Sequence, residues 1–394
     1  MQEVKLTLAQ AERYQTIKAA LQGALNNEQA ANALRISVRQ VQRLKQRVKC
    51  KGAAGVIHLN TGRKPANAIA PSIKEQVIRL ASDEYQNYNF SHLADTLAEE
   101  HKIKLSDETL RLWMRPLGMG KAQRRLKKHR RRRPRREQEG ELLFLDGSPH
   151  PWFGDDGPKV CLLLSSDDAT GKPLWGKFQP NEDRNGCFEV CYQVFKKFGL
   201  AAAFYLDMAS QFTTTRHGGT HVKQGPEVEK THFELAMQEL AIDLIFARSP
   251  QARGRGERLN GSFQNRLAAE LQRKGIKDCR AATEYLNRIF IPKYQKWFAQ
   301  KPADPRSAWR PVPKELDLKS VLSDKHERVV ANDNTVSFQG QDYQLTPPPG
   351  RCLLLHARIQ VQERFDGSIH FVHPKLGELK AQKIEFDRRR KRVA

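Results

Sequence analysis

The run Leu200–Asp207, LAAAFYLD, is apolar at nearly every position and stops on a carboxylate. A strand with one wet face alternates, whereas a run without alternation is covered on both faces, as in a parallel sheet with helices above and below. This constrains the middle of the chain to α/β layers. ELLFLDG (Glu141–Gly147) is a second such run and ends on Asp146. VCLLLSSDDAT (Val160–Thr170), KPLWGKFQP (Lys172–Pro180) and IDLIFAR (Ile242–Arg248) read as further strands. Helices are predicted over Cys187–Gly199, Glu229–Ala241 and about 255–273, so three strands in succession precede strand–helix units.

Charge narrows the partner. The chain has 394 residues, 68 Lys+Arg against 44 Asp+Glu, and a net charge of +24. An excess of this size implies a polyanion, bound by phosphate neutralisation and counterion release. No apolar run is long enough to span a bilayer. MQEVKLTLAQAERY has no apolar signal core, so a cytoplasmic, nucleoid-associated location is expected and a membrane partner is not. The six cysteines are scattered, as in a reducing compartment. Cys187 and Cys191 share a helix face but lack a second pair at zinc spacing, which makes them buried thiols.

Five segments follow from composition and periodicity. Residues 1–62 read as an all-α helix-turn-helix DNA-binding domain, with Ser37 capping a helix that buries Val38, Val41 and Leu44. Arg39, Gln40 and Arg43 on its outer face suit base edges in a major groove, although a solvated basic face gives the same pattern. Residues 63–123 form a second helix-turn-helix unit, capped at Ser106, with Arg111 and Arg115 outside. Residues 124–138 are a basic linker that holds KKHRRRRPRR, eight cations in ten residues, among them Arg130, Arg131, Arg132 and Arg133. Residues 139–310 are the α/β core. KPADPRSAWRPVP (Lys301–Pro313) breaks the chain, and residues 311–394 read as a small all-β, SH3-like barrel with a basic RRRKR tail.

Phosphodiester chemistry needs an activated nucleophile and relief of charge on phosphorus, which two Mg²⁺ or Mn²⁺ ions supply when carboxylates hold them. Asp146 and Asp207 close two central strands and Glu257 opens a helix. These three acids are the candidate metal ligands, with Asp167 and Asp168 as rivals that Asp turn preference makes structural. Arg253, Arg255 and Arg258 lie beside Glu257 and suit phosphates.

LDGSPH, FYLDMASQF and ARGRGERLNGSFQNRL resemble, in order and local sequence, the three acidic motifs of the DDE transposases and retroviral-type integrases. The chain looks like the insertion-sequence transposases of the ISNCY type. The resemblance implies an RNase H-like core with Asp146, Asp207 and Glu257 as its acidic triad. It also implies divalent metal, two ions by the family pattern, and double-stranded DNA, both element ends and target, as partner. Cleavage followed by strand transfer would need at least a dimer on DNA. Two features depart from the pattern: Met208-Ala209 stand where many relatives have Asn-Gly, and 49 residues separate Asp207 from Glu257. The alternative from the residues alone is a DNA-binding regulator with an inactive RNase H-like core.

Overall fold

The structure is a computed structural model that describes residues 6–62, 65, 68–120, 133–213, 230–247, 254–348 and 353–384. Arg130, Arg131, Arg132, Arg253 and the RRRKR tail lie outside these residues. The chain divides into two compact units, Met1–Gln76 and Val77–Ala394.

The first unit holds α1 (Leu8–Leu21), α2 (Asn27–Leu34) and α3 (Val38–Lys51). Each starts with a capping box: Thr7, Asn26 and Ser37 accept from the third backbone N–H, and a Gln at that position reaches back. Arg35, at φ 51°, ends α2 in the left-handed region, so the chain turns at once into α3. Small Ala30 and Ala31 bring α2 close to Ile17, Val41 and Val48. Val38 does not join them; at the first helical position it remains exposed.

In the second unit, α4 (Pro71–Asp83) spans the division, followed by α5 (Phe90–Glu100) and α6 (Asp107–Met114). Ser106 caps α6 as expected, and Leu110 and Met114 are its buried face. The core sheet contains β1 (Leu142–His150), β2 (Val160–Asp167) and β3 (Pro173–Gln179). After α7 (Arg184–Phe198) comes β4 (Ala203–Leu206), and after α8 (His232–Glu239) comes β5 (Asp243–Phe246). The strand order is β3-β2-β1-β4-β5. The first three strands pair antiparallel, while β4 lies parallel to β1 and β5 parallel to β4. This is the mixed α/β arrangement read from the sequence. β1 outruns its expected end because Ser148, Pro149 and His150 still pair with Leu162, Cys161 and Val160.

Both faces of the sheet are covered, as the unbroken apolar runs require. On one face Leu143, Leu145 and Leu163 meet Phe188 and Val194 of α7 and Phe233 of α8. On the other, Leu162 and Leu164 meet Phe263, Leu267 and Leu271 of α9 (Gly254–Arg273). α10 (Cys279–Tyr285), a π-helical stretch over Leu286–Phe290 and α11 (Ile291–Phe298) complete that layer. Truncating a side chain such as Phe263 to Ala in a core of this kind costs about 3–5 kcal/mol.

Beyond a short α12 (Leu318–Val321) lie β6 (Ser323–Val329), β7 (Thr335–Phe338), β8 (Gln341–Thr346), β9 (Arg358–Arg364), β10 (Ile369–His373) and β11 (Gly377–Ile384). They form an antiparallel sheet of order β6-β9-β10-β11-β8-β7 around Val336, Phe338, Val361 and Phe371. Its two end strands approach each other through His326 and Phe338, whose rings are 5.2 Å apart. β11 is not apparent in the sequence because GELKAQKI carries little apolar surface; it is held by ladders to β10 and β8.

Candidate catalytic site

Parallel register brings two of the three candidate acids together. β1 pairs with β4 as Leu142 to Ala203, Leu143 to Phe204 and Phe144 to Tyr205. Carried two residues beyond the last pair, this register places Asp146, in the middle of β1, beside Asp207, which follows the carboxyl end of β4. Ligand sites in open α/β sheets form at such strand ends.

The third motif approaches from above. Asn260 Nδ2 donates to Asp146 Oδ2 at 2.8 Å. A Cβ on Gly256 would lie 3.9 Å from the same oxygen, so the first turns of α9 lie over the middle of β1. Glu257, exposed, precedes Asn260 by three residues and shares its side of the helix. Asp207 Oδ1 accepts the Ala209 N–H at 3.1 Å. The donor in that turn is a backbone N–H, so Met208-Ala209 can replace Asn-Gly; Met208 is exposed while Phe212 anchors the loop in the core.

The donors are hard carboxylate oxygens, partly exposed at Asp146 and Asp207, a chemistry that fits Mg²⁺ or Mn²⁺. Among the described residues, the side chains whose ligand atoms gather within 4.8 Å are His232, Asp324 and His326 rather than the three acids. Two ions about 3.5–4 Å apart do not need all their acids in one such cluster. The histidine group is a poorer cation site. Arg184 grips both Asp324 oxygens, its Nε at 2.6 Å from Oδ1, so the carboxylate is already neutralised and a guanidinium stands beside it. This group joins β6 to the starts of α7 and α8.

Asp167 and Asp168 take the structural role. Asp167, buried, accepts from Gly140 N, Thr170 N and Thr170 Oγ1 at 3.0, 2.8 and 2.6 Å. Burial raises its carboxyl above the usual range despite those bonds. Asp168, also buried, receives Arg133 Nη2 at 2.9 Å, the Arg136 N–H at 2.8 Å and Arg255 Nη1. Arg133 and Arg255 are therefore engaged within the protein, and Arg258 Nε donates to the Gly254 carbonyl at 3.1 Å. In the helical units Arg39 and Arg43 are exposed on α3, whereas the Gln40 side chain is spent on the cap at Ser37. Arg111 pairs with Asp107 and Glu108 of its own helix, and Arg115 is exposed.

One acid near the site is absent from the sequence reading. Glu182, between β3 and α7, accepts from Gln211 Nε2 in the loop after Asp207. A Cβ at Gly147, next to Asp146, would fall 2.0 Å from Glu182 Oε2. Nothing periodic marks it, since QPNED reads only as a turn.

The chain is 34% identical over 331 residues to the y4bF protein of Sinorhizobium fredii, which bears a transposase name, covering 84% of this chain and 71% of that one. It is 30% identical over 394 residues to the transposase for insertion sequence IS1202 of Streptococcus pneumoniae, covering 91% and 83%. No family model matches. A magnesium-bound catalytic core domain of HTLV-2 integrase superposes with a TM-score of 0.30 at 15% identity, over 39% of this chain and 86% of that one, too loosely to carry a conclusion. Carboxylates on adjacent parallel strands beneath a helix suit the class of metal-dependent polynucleotidyl transferases. Within it, the two relatives make the assignment: the chain belongs to the insertion-sequence transposases. Its activity is DNA transposition.

Proposed function

We propose that this transposase cuts and joins DNA at Asp146, Asp207 and Glu257, acting on divalent metal. The observation that carries the reading is the Asn260–Asp146 bond, which ties the helix of the third acid to the strand of the first. Mg²⁺ or Mn²⁺, two ions by the chemistry's needs, would activate the attacking oxygen and stabilise the leaving one. The protein's part is to orient. Asn260 fixes one oxygen of Asp146, the Ala209 N–H fixes one of Asp207, and Phe212 pins the loop between. No residue forms a covalent bond to DNA: water attacks first, and the freed 3′-OH attacks target DNA next, each displacing an oxygen in line.

The remaining parts follow the same reading. α2–α3 and α5–α6 act as helix-turn-helix readers of element ends, α3 through Arg39 and Arg43. The surface ion pairs of Arg111 are each worth well under about 1 kcal/mol, so a DNA phosphate can replace them. The C-terminal sheet acts as an SH3-like barrel. One site serves one DNA end, so a reaction that joins two ends takes at least two copies.

The test is metal-dependent cleavage and joining of DNA that carries the element ends, with wild type beside Asp207→Asn and Glu257→Gln. Both variants should bind DNA as wild type does and lose at least about 10³-fold in both steps, the scale of losing a principal charge-stabilising group. Activity retained in either variant would overturn the triad. A wild type that binds ends yet neither cuts nor joins with either metal would leave the regulator.

A further inference from the structure

Four features of the loop Gln179–Arg184 make it a built part of the molecule. Gln179 Nε2 donates to the Asn181 carbonyl, and Asp183 Oδ1 caps α7 by accepting the Gly186 N–H at 2.6 Å. Arg184 is gripped by Asp324 of the C-terminal sheet. Between these anchors, Glu182 extends one oxygen to Gln211 and lays the other over Gly147. Gly147 follows Asp146 directly, and Gln211 lies four residues after Asp207. The glycine of the first motif thus has a reason: any side chain there would occupy the place of the Glu182 carboxylate. The same loop lies near enough to Asp146 that the charges of both acids help raise the Cys161 thiol, whose burial pushes it up to about 12.

We infer that Glu182 is a positioning residue of the site, a fourth carboxylate that clamps the Asp146 and Asp207 segments at a fixed separation and strengthens their hold on divalent cation. This rests on reading Asp146 and Asp207 as metal ligands. One oxygen of the clamp fixes the second motif through Gln211, and the other fills the space that Gly147 leaves open in the first. Groups that orient metal ligands without binding metal typically control affinity or activity by 10- to 100-fold.

The experiment measures Mn²⁺ affinity of the full chain by titration calorimetry without DNA, and strand transfer in parallel. The variants are Glu182→Ala, Gly147→Ala, Gln211→Ala and the double variant Glu182→Ala/Gln211→Ala, with Asp207→Asn as reference. Glu182→Ala should weaken Mn²⁺ binding about 10-fold and lower strand transfer at least as much, with DNA binding and melting temperature near wild type. Gly147→Ala, which changes no acid, should reproduce that phenotype by displacing the carboxylate. The double variant should be little worse than either single one, because both remove the same clamp. Wild-type affinity in Glu182→Ala, alongside lost affinity in Asp207→Asn, overturns this inference and leaves the triad standing. Unchanged affinity in Asp207→Asn itself overturns the triad first, and the clamp with it.

Discussion

At the scale of residues, the site depends on neutral groups as much as on acids. Asn260 gives Asp146 a donor without a charge. Asn260→Ala should therefore cost about 10- to 100-fold in cleavage with end binding intact. Asn260→Asp should be worse, because it sets a like charge against Asp146 and repulsion raises the proton affinity of both. Cleavage rates over a pH series would check this: the Asp variant should regain activity less readily than the Ala variant at any pH where both carboxyls are ionised. An Ala variant with wild-type rates would leave Asn260 a bystander. The sequence made Asp146 and Asp207 legible because each ends an apolar run, and Glu257 legible by its motif. Glu182 was not legible, since an acid in a short turn has no period and its relation to Gly147 and Gln211 exists only in three dimensions. In sequence Arg133 reads as part of the basic linker and Arg255 as a phosphate contact; only the fold reveals Asp168 as their partner.

At the scale of elements, α9 links chemistry to a helix of the second predicted DNA-reading unit. Its first turns face Asp146, and farther along it packs on α5 through Arg266–Asp95 at 2.8 Å, Arg273–Glu100 at 3.0 Å and His92–Glu270 at 2.9 Å. Glu270 also receives Lys293 Nζ at 2.9 Å and the Tyr285 hydroxyl. Burial by itself would raise the Glu270 carboxyl, but His92, Lys293 and Tyr285 outweigh it and hold the group down at about 2. Burial keeps His92 below its usual range despite Glu270, so the ring is neutral and donates from Nε2. This agrees with Nδ1, which has no hydrogen-bond partner among the described residues. The unfolded chain takes up protons that these two groups refuse when folded, so both stabilise the fold more as pH rises. Thermal melts should lose stability below about pH 6.5 from His92. They should lose on the order of 3 kcal/mol more from Glu270 between its ordinary 4.5 and about 2. Glu270→Gln should melt lower at pH 7, by about 3 kcal/mol for the stranded Lys293 charge, and should flatten the acid limb. An acid limb identical to wild type would show that other groups set it. The docking of α5 on α9 was invisible in sequence, because its partners lie 171 to 178 residues apart and no local period links them.

At the scale of the whole molecule, a net charge of +24 makes affinity a function of salt. Binding to end DNA, followed by fluorescence anisotropy from 50 to 200 mM salt, should fall with a log–log slope on the order of −6, as expected for six or seven neutralised phosphates. A slope shallower than about −2 would mean that the excess charge faces something other than DNA. α9 has a further consequence in this setting. It is a rod with a phase: Asn260 near its start reaches Asp146, Arg266, Glu270 and Arg273 farther along reach α5, and each added residue turns one end by about 100° against the other. One codon lost or gained between Asn260 and Arg266 shifts every contact at one end and leaves no compensating slack. Lineages of such elements can therefore vary freely in loop lengths on either side while the count of residues inside this helix stays fixed, a ruler written in the reading frame.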